Sequence, residues 1–155
     1  MRALICANTF WNIVHYRLEL LEKMRDSGVD VVIFAPKSED KRILESAGFT
    51  IVAGPSIDRR LNVFKDFHFF IKYLMVIRRY RPDVLLNFTI KPNIFGGFLG
   101  TFFKKSVINT ITGLGVSYVE SGPIKYLTLF LYRLSHKKLA KVFFHNLEDQ
   151  EEFIS

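Results

Sequence analysis

Three short polar clusters carry the residues best suited to chemistry, and each follows an apolar run. The first is Asn8-Thr9-Phe10-Trp11-Asn12. The second holds Thr89, Lys91 and Asn93, with Gly96-Gly97 just beyond. The third is Asn109-Thr110-Ile111-Thr112-Gly113-Leu114-Gly115. Lys91 stands where an apolar run gives way to helical spacing. Helix N-termini attract anions through unpaired N–H groups, and a lysine there adds a full positive charge. The same lysine would also suit a solvated surface, and Asn93 suits an N-cap. Gly113 and Gly115 let a backbone approach a ligand closely, though a plain turn has the same composition. Asn8, Thr9 or Asn12 can cap a following helix, and Trp11 suits a core or rim position. Arg59-Arg60 is a pair that can grip phosphate or lie in a solvated loop.

Several chemistries are excluded. A dinucleotide fold needs G-x-G-x-x-G after its first strand, and residues 8–12 hold no glycine. No Walker motif is present, and Ser117, Ser121 and Ser135 lack a G-x-S-x-G context. His15, His68, His136 and His145 have no metal-like spacing, so no metal is expected. The single cysteine, Cys6, excludes a disulfide framework and a cysteine-based zinc site.

The elements that must position these clusters alternate along the chain. Apolar runs rich in β-branched residues predict strands at 3–7, 29–35, 49–52, 84–88, 107–110 and 142–145. Helical spacing fills 12–27, 39–47, 63–80, 93–104 and 123–140. In the first, Ile13, Leu20, Leu21 and Met24 are expected along one buried face. Gly28, Gly48 and Pro82 act as stops, and Pro123 opens a helix. Strand and helix in turn predict an α/β fold: a Rossmann-like parallel sheet of about six strands with helices on both faces. The 155 residues, 49% of them hydrophobic, suffice for one such domain and fall short of two. No apolar run is long enough to cross a membrane, and no secretory signal is present. An acidic helical start at 148–155 suggests a protein that continues.

The formal net charge of +7 is unevenly spread. Residues 59–81 carry seven Lys/Arg against one Asp, and residues 123–142 carry five with no acid. Both segments are rich in aromatics, among them Phe64, Phe67, Phe69, Phe70, Tyr73 and Tyr80, then Tyr126, Phe130 and Tyr132. Basic helices with bulky apolar residues lie on anionic bilayers. They also occur simply packed on a sheet with Lys/Arg in water. No nucleic-acid-binding pattern is present.

The loops together resemble a known family. TIKPNIFGG at 89–97, NTITGLG at 109–115 and KVFFHNLEDQEEF at 141–153 are similar to the N-terminal domain of glycosyltransferase family 4. The likeness is to the bacterial subgroup that builds surface polysaccharide and glycan precursors on undecaprenyl diphosphate. DRRLN at 58–62 and RPDVLLNFT at 81–89 fall in the family's order.

The resemblance implies half of a GT-B fold, with 1–155 as the acceptor-side domain. A donor-binding C-terminal domain, lying outside these residues, would hold a nucleotide sugar such as a UDP-sugar. The fragment alone is then expected to be inactive. It implies retaining transfer to a lipid-linked sugar acceptor, without cofactor or metal, at the inner face of the cell membrane. No catalytic residue is named by it. Asn8, Thr9 and Asn12 match the loop facing the donor diphosphate. Thr89 and Lys91 stand where other members place a histidine, and Asn93 lies beside them. Asn109, Thr112, Gly113 and Gly115 match a loop lining the cleft. Transfer develops negative charge on the leaving diphosphate, which Lys91 and backbone N–H groups at residues 113–115 suit. Arg59, Arg60, Lys72, Arg78, Arg79, Lys137 and Lys138 would meet a lipid diphosphate or an anionic membrane. The alternative reading is a non-catalytic module that recruits a donor-binding subunit. A nucleotide-binding α/β enzyme of another kind has the first turn against it.

Overall fold

A computed structural model describes residues 1–58, 60–112, 123–136, 140–147 and 150–151, with the backbone alone at 123–125 and 129. Six strands are present: β1 (Arg2–Cys6), β2 (Asp30–Pro36), β3 (Thr50–Gly54), β4 (Val84–Phe88), β5 (Ser106–Ile111) and β6 (Lys141–Phe144). Between them run α1 (Phe10–Asp26), α2 (Lys41–Ser46), α3 (Val63–Tyr80), α4 (Ile90–Phe102) and α5 (Pro123–His136). All pairings are parallel, in the order β3-β2-β1-β4-β5-β6. The expected α/β sheet is therefore the observed one.

Strand β1 is central and covered on both faces, which explains its continuous apolar run. Ala3 and Ile5 face α1 and α2 with Phe10, Ile13, Leu21 and Leu44. Leu4 and Cys6 face α3 and α4 with Phe69, Tyr73, Val76 and Leu99. Burial pushes the Cys6 thiol well above its ordinary pKa, so it is an inert core residue. A third cluster joins α4, α5 and the strand edge through Ile94, Ile111 and Tyr132.

Helix starts follow local chemistry. Thr9 caps α1, its Oγ1 accepting from Asn12 N at 3.1 Å. Asn62 caps α3 by accepting from Lys65 N at 3.3 Å. The sequence places a helix start at Asn93, but α4 begins three residues earlier. Asn93 N already bonds Thr89 O at 3.0 Å, so Thr89 is the cap residue. Pro92 falls in the first turn, where its missing N–H costs no intrahelical bond. In α1 the inward stripe runs through Phe10, Ile13 and Leu21, and Leu20 falls at its exposed edge. Helix α5 is described over Pro123–His136, and residues 137–139 of the expected span 123–140 lie outside the described residues.

Helix α4 packs close to its neighbours through three glycines, Gly96, Gly97 and Gly100, the last against Val107 of β5. A Cβ on Gly96 would collide with the Asn87 amide. One on Gly97 would lie 2.7 Å from Ser135 O in α5. Any side chain there would push α4 off the sheet or off α5.

Candidate functional site

The connectivity reverses between β1 and β4, and open α/β sheets form their crevice outside the carboxyl ends of such strands. Helices α1 and α4 both start there, and neither has an acidic residue in its first turn. Their unpaired N–H groups make this edge favourable for an anion. Asn8, Thr9 and Asn12 line the β1 side, and Thr89 the β4 side. Thr9 is spent on its cap. The Oδ1 of Asn12 and the Oγ1 of Thr89 are buried without a hydrogen-bond partner among the described residues. Thr89 also has φ 74° and ψ 160°, a conformation normally reserved for glycine. Beyond the crevice, Trp11 is 46% exposed and stacks on His15 with ring centroids 4.3 Å apart. It is a rim residue.

Behind the crevice lies a buried polar chain. Tyr73 OH donates to Asn87 Oδ1. Asn87 Nδ2 donates to Asn109 Oδ1 at 2.8 Å. Asn109 Nδ2 donates to Asn93 O at 2.9 Å and to His136 Nε2 at 3.0 Å. Asn93 Nδ2 donates to Thr110 O at 3.0 Å. Asn93 and Asn109 are both fully buried, and Asn93 Oδ1 has no hydrogen-bond partner among the described residues. Asn93 ties the first turn of α4 to β5 instead of capping it. Asn87 opens the second polar cluster of the sequence but carries no site role in the sequence reading, although one amide inside the apolar run VLLNF is its signal.

The chain fixes the tautomer of His136. Asn109 Nδ2 has only protons to give, so Nε2 accepts and Nδ1 carries the hydrogen. Ser135 Oγ lies 2.9 Å from that Nδ1 and itself donates to Tyr132 O. Burial lowers the His136 pKa to about 4, so the ring is neutral at neutral pH.

Lys91 is largely buried and ion-paired. Its Nζ lies 2.6 Å from Asp66 Oδ1 and donates to Arg60 O at 2.8 Å. Asp66 Oδ2 accepts from Asn62 N at 3.2 Å. Asp66 is the one acid of the basic segment 59–81, and that isolation was its legible sign. The ion pair borders an apolar cleft of about 290 Å³ between α3, α4 and α5. Phe67, Phe70, Ile94, Phe95, Leu127 and Leu131 wall it. At its mouth Phe67 is exposed, and Phe64, Tyr126 and Phe130 stand exposed on the same two helices. Phe69 and Tyr73, by contrast, point into the core.

The expected basic residues do not form one group. Arg60 lies at the cleft, and Lys72 is half-buried further along α3. Arg78 and Arg79 lie in the last turn of α3, where they complement its dipole. That end is the sheet's opposite edge, since Arg2 at the start of β1 bonds Tyr80 O at 2.7 Å. Sixteen residues at 1.5 Å each put Arg79 about 24 Å from Val63. Thr112, half-buried, follows β5. Arg59, Gly113, Gly115, Lys137 and Lys138 lie outside the described residues.

Residues 4–146 match the profile of the family described as glycosyl transferase 4-like. The chain belongs to this family. The family 4-like domain is 24% identical over 148 residues to a Campylobacter jejuni enzyme, N,N'-diacetylbacillosaminyl-diphospho-undecaprenol alpha-1,3-N-acetylgalactosaminyltransferase. The match covers 92% of this chain and 39% of the enzyme. UDP-bound HepE of Anabaena superposes with TM-score 0.70 at 12% identity, over 99% of this chain and 40% of that one. MurG of Acinetobacter baumannii gives 0.63 at 13%, over 92% and 40%. The UDP-GlcNAc 2-epimerase of Methanocaldococcus jannaschii gives 0.65 at 14%, over 99% and 42%. These likenesses establish the fold, which transferases and epimerases share. The family 4-like domain spans about two-fifths of the length of these relatives.

Proposed function

We propose that this domain is the acceptor side of a retaining glycosyltransferase. The enzyme moves a sugar from a nucleotide sugar, such as a UDP-sugar, to a lipid-linked glycan. The observation that carries this reading is the apolar cleft beside the sheet's carboxyl edge, framed by exposed aromatics on two basic helices. A lipid-linked acceptor needs an apolar surface next to the reacting edge, and this domain offers both together. The undecaprenol-linked acceptor in the name of the Campylobacter relative supports the same reading.

In this reading the donor is held by a second domain facing the β1/β4 crevice. The first turns of α1 and α4 then help to bear the charge that develops on the leaving diphosphate. The domain works as a peripheral protein on the inner face of the membrane. Among the described residues no helix is long and apolar enough to cross a membrane. Phe64, Phe67, Tyr126 and Phe130 enter the interface, and the basic residues of both helices meet anionic headgroups.

Flotation with vesicles tests the membrane part. The chain is expected to float with vesicles containing an anionic lipid and to be released by high salt. Equal flotation with zwitterionic vesicles would remove the electrostatic part of the proposal. Transfer of a radiolabelled sugar to an undecaprenyl-diphosphate glycan by this domain together with a donor-binding domain tests the chemistry.

A further inference from the structure

We propose that the cleft between α3, α4 and α5 receives the hydrocarbon nearest the phosphate of a polyprenyl diphosphate, with Lys91 Nζ donating to a phosphate oxygen. This rests on the acceptor-side reading and names what the cleft itself takes.

The walls select for hydrocarbon. Apart from Asp66, Lys91 and Thr128, every lining side chain is apolar. A sugar would lose its hydrogen bonds to water there and find few replacements. The cleft volume of about 290 Å³ is at the low end for ligand sites. It suits a stretch of chain and excludes a glycan. Phe67 and Leu127 line the cleft and are also exposed, so its apolar wall runs out to the protein surface. A chain can therefore enter from a bilayer without crossing a polar rim.

The inner end selects for an anionic head. An ammonium has three donors. Lys91 gives one to Asp66 Oδ1 and one to Arg60 O, which leaves one for a ligand. Asp66 is neutralised by the same lysine, and the backbone of Arg60, an exposed residue, lies against that lysine. Lys91 also lies in the first turn of α4, two residues past Thr89. A phosphate there would direct whatever it carries toward the β1/β4 crevice. Hydrocarbon, phosphate and sugar are then laid out in the order of a lipid-linked acceptor.

A second copy of this chain fits poorly. Residues 59–81 sum to +6, and docking them on an equally basic surface sets like charges together.

Calorimetry in vesicle-free, detergent-free solution tests the proposal with farnesyl diphosphate, farnesol, inorganic diphosphate and dodecyl phosphate. Farnesyl diphosphate should bind at least about tenfold tighter than each of the others. Leu131→Trp fills the cleft and should weaken it by about tenfold or more. Because Leu131→Trp can disturb packing, Leu127→Trp at the exposed mouth is the second filling variant. Asp66→Asn removes the carboxylate that competes for Lys91 and should tighten farnesyl diphosphate binding several-fold, the reverse of a purely structural role. Three outcomes overturn the proposal: inorganic diphosphate binding as well as farnesyl diphosphate, dodecyl phosphate binding as well, or both tryptophan variants binding like the parent. Flotation of the same variants separates the two readings. A parent chain that floats with anionic vesicles but ignores farnesyl diphosphate loses only the cleft assignment. One that binds farnesyl diphosphate through the cleft without floating keeps it and loses the membrane reading.

Discussion

Lys91 and Asp66 meet at 2.6 Å, with side chains only 16% and 10% exposed, where α3 and α4 begin side by side. The contact joins residues 25 positions apart. It also neutralises a lysine that would otherwise oppose the positive end of the α4 dipole. Two charges so far from water are expensive to separate. Lys91→Met or Asp66→Leu alone leaves an uncompensated buried charge and should cost about 3 kcal/mol. The double variant removes both charges and should recover most of that loss. Urea unfolding of the four chains forms the cycle. Additive losses would mean the pair contributes no coupling.

His136 gives a pH dependence of definite sign. Its folded pKa is lowered to about 4 from an ordinary 6.5. Above pH 6.5 both states hold the neutral ring and the histidine adds no slope. Between 6.5 and 4 the unfolded chain takes up the proton first, so stability falls as pH falls. The full loss approaches about 3 kcal/mol. The difference between the parent and His136→Phe in denaturant midpoint, followed from pH 7.5 to 4, isolates this component. A flat difference would mean that burial does not hold the ring neutral.

Thr89 holds a backbone conformation that an L side chain resists. Thr89→Gly should relieve that strain. The release is about 1–3 kcal/mol, offset by the greater unfolded-state freedom of glycine. A net stabilisation of about 1 kcal/mol is expected by chemical denaturation. If transfer activity, assayed with a donor-binding domain supplied, falls while stability rises, the strain serves the site.

The fold was legible because its signals are local. Each strand is a β-branched run, each helix has a period and a stop, and parallel order follows from their alternation. Helix α3 was read at its true bounds, since Asn62 and Pro82 flank it. The start of α4 was not, because Pro92 mimics a boundary that its place in the first turn does not enforce. The site was legible only by residue type. Asn109 and Lys91 stand where the sequence places polar chemistry, yet both are committed to partners far away in the chain. Asn87 and His136 satisfy Asn109, and Asp66 holds Lys91. Such pairings depend on register between strands and on crossing of helices, which no short spacing records. The exposure of Phe64 beside a buried Phe69 was hidden for the same reason: both belong to one aromatic segment, and only the packed sheet decides which face is inside.

The split of basic residues along α3 yields the sharpest separation of roles. Arg60 lies just before α3 begins and Lys72 near its middle, whereas Arg78 and Arg79 lie in the last turn at the sheet's opposite edge. A membrane met through Phe64, Phe67 and Phe130 is reached by the first group. The second sits farther off than the screening length of about 8 Å in physiological salt. Arg60→Gln with Lys72→Gln should therefore weaken binding to anionic vesicles markedly, by about 1 kcal/mol for each charge that touches the surface. Arg78→Gln with Arg79→Gln should leave it nearly unchanged and instead cost helix stability through the lost dipole contact, about 0.3–1 kcal/mol each. The two double variants carry the same net charge. Equal losses in flotation would mean that the domain responds to its total charge and that no oriented face exists. Unequal losses in the stated direction would place the cleft half of α3 against the bilayer.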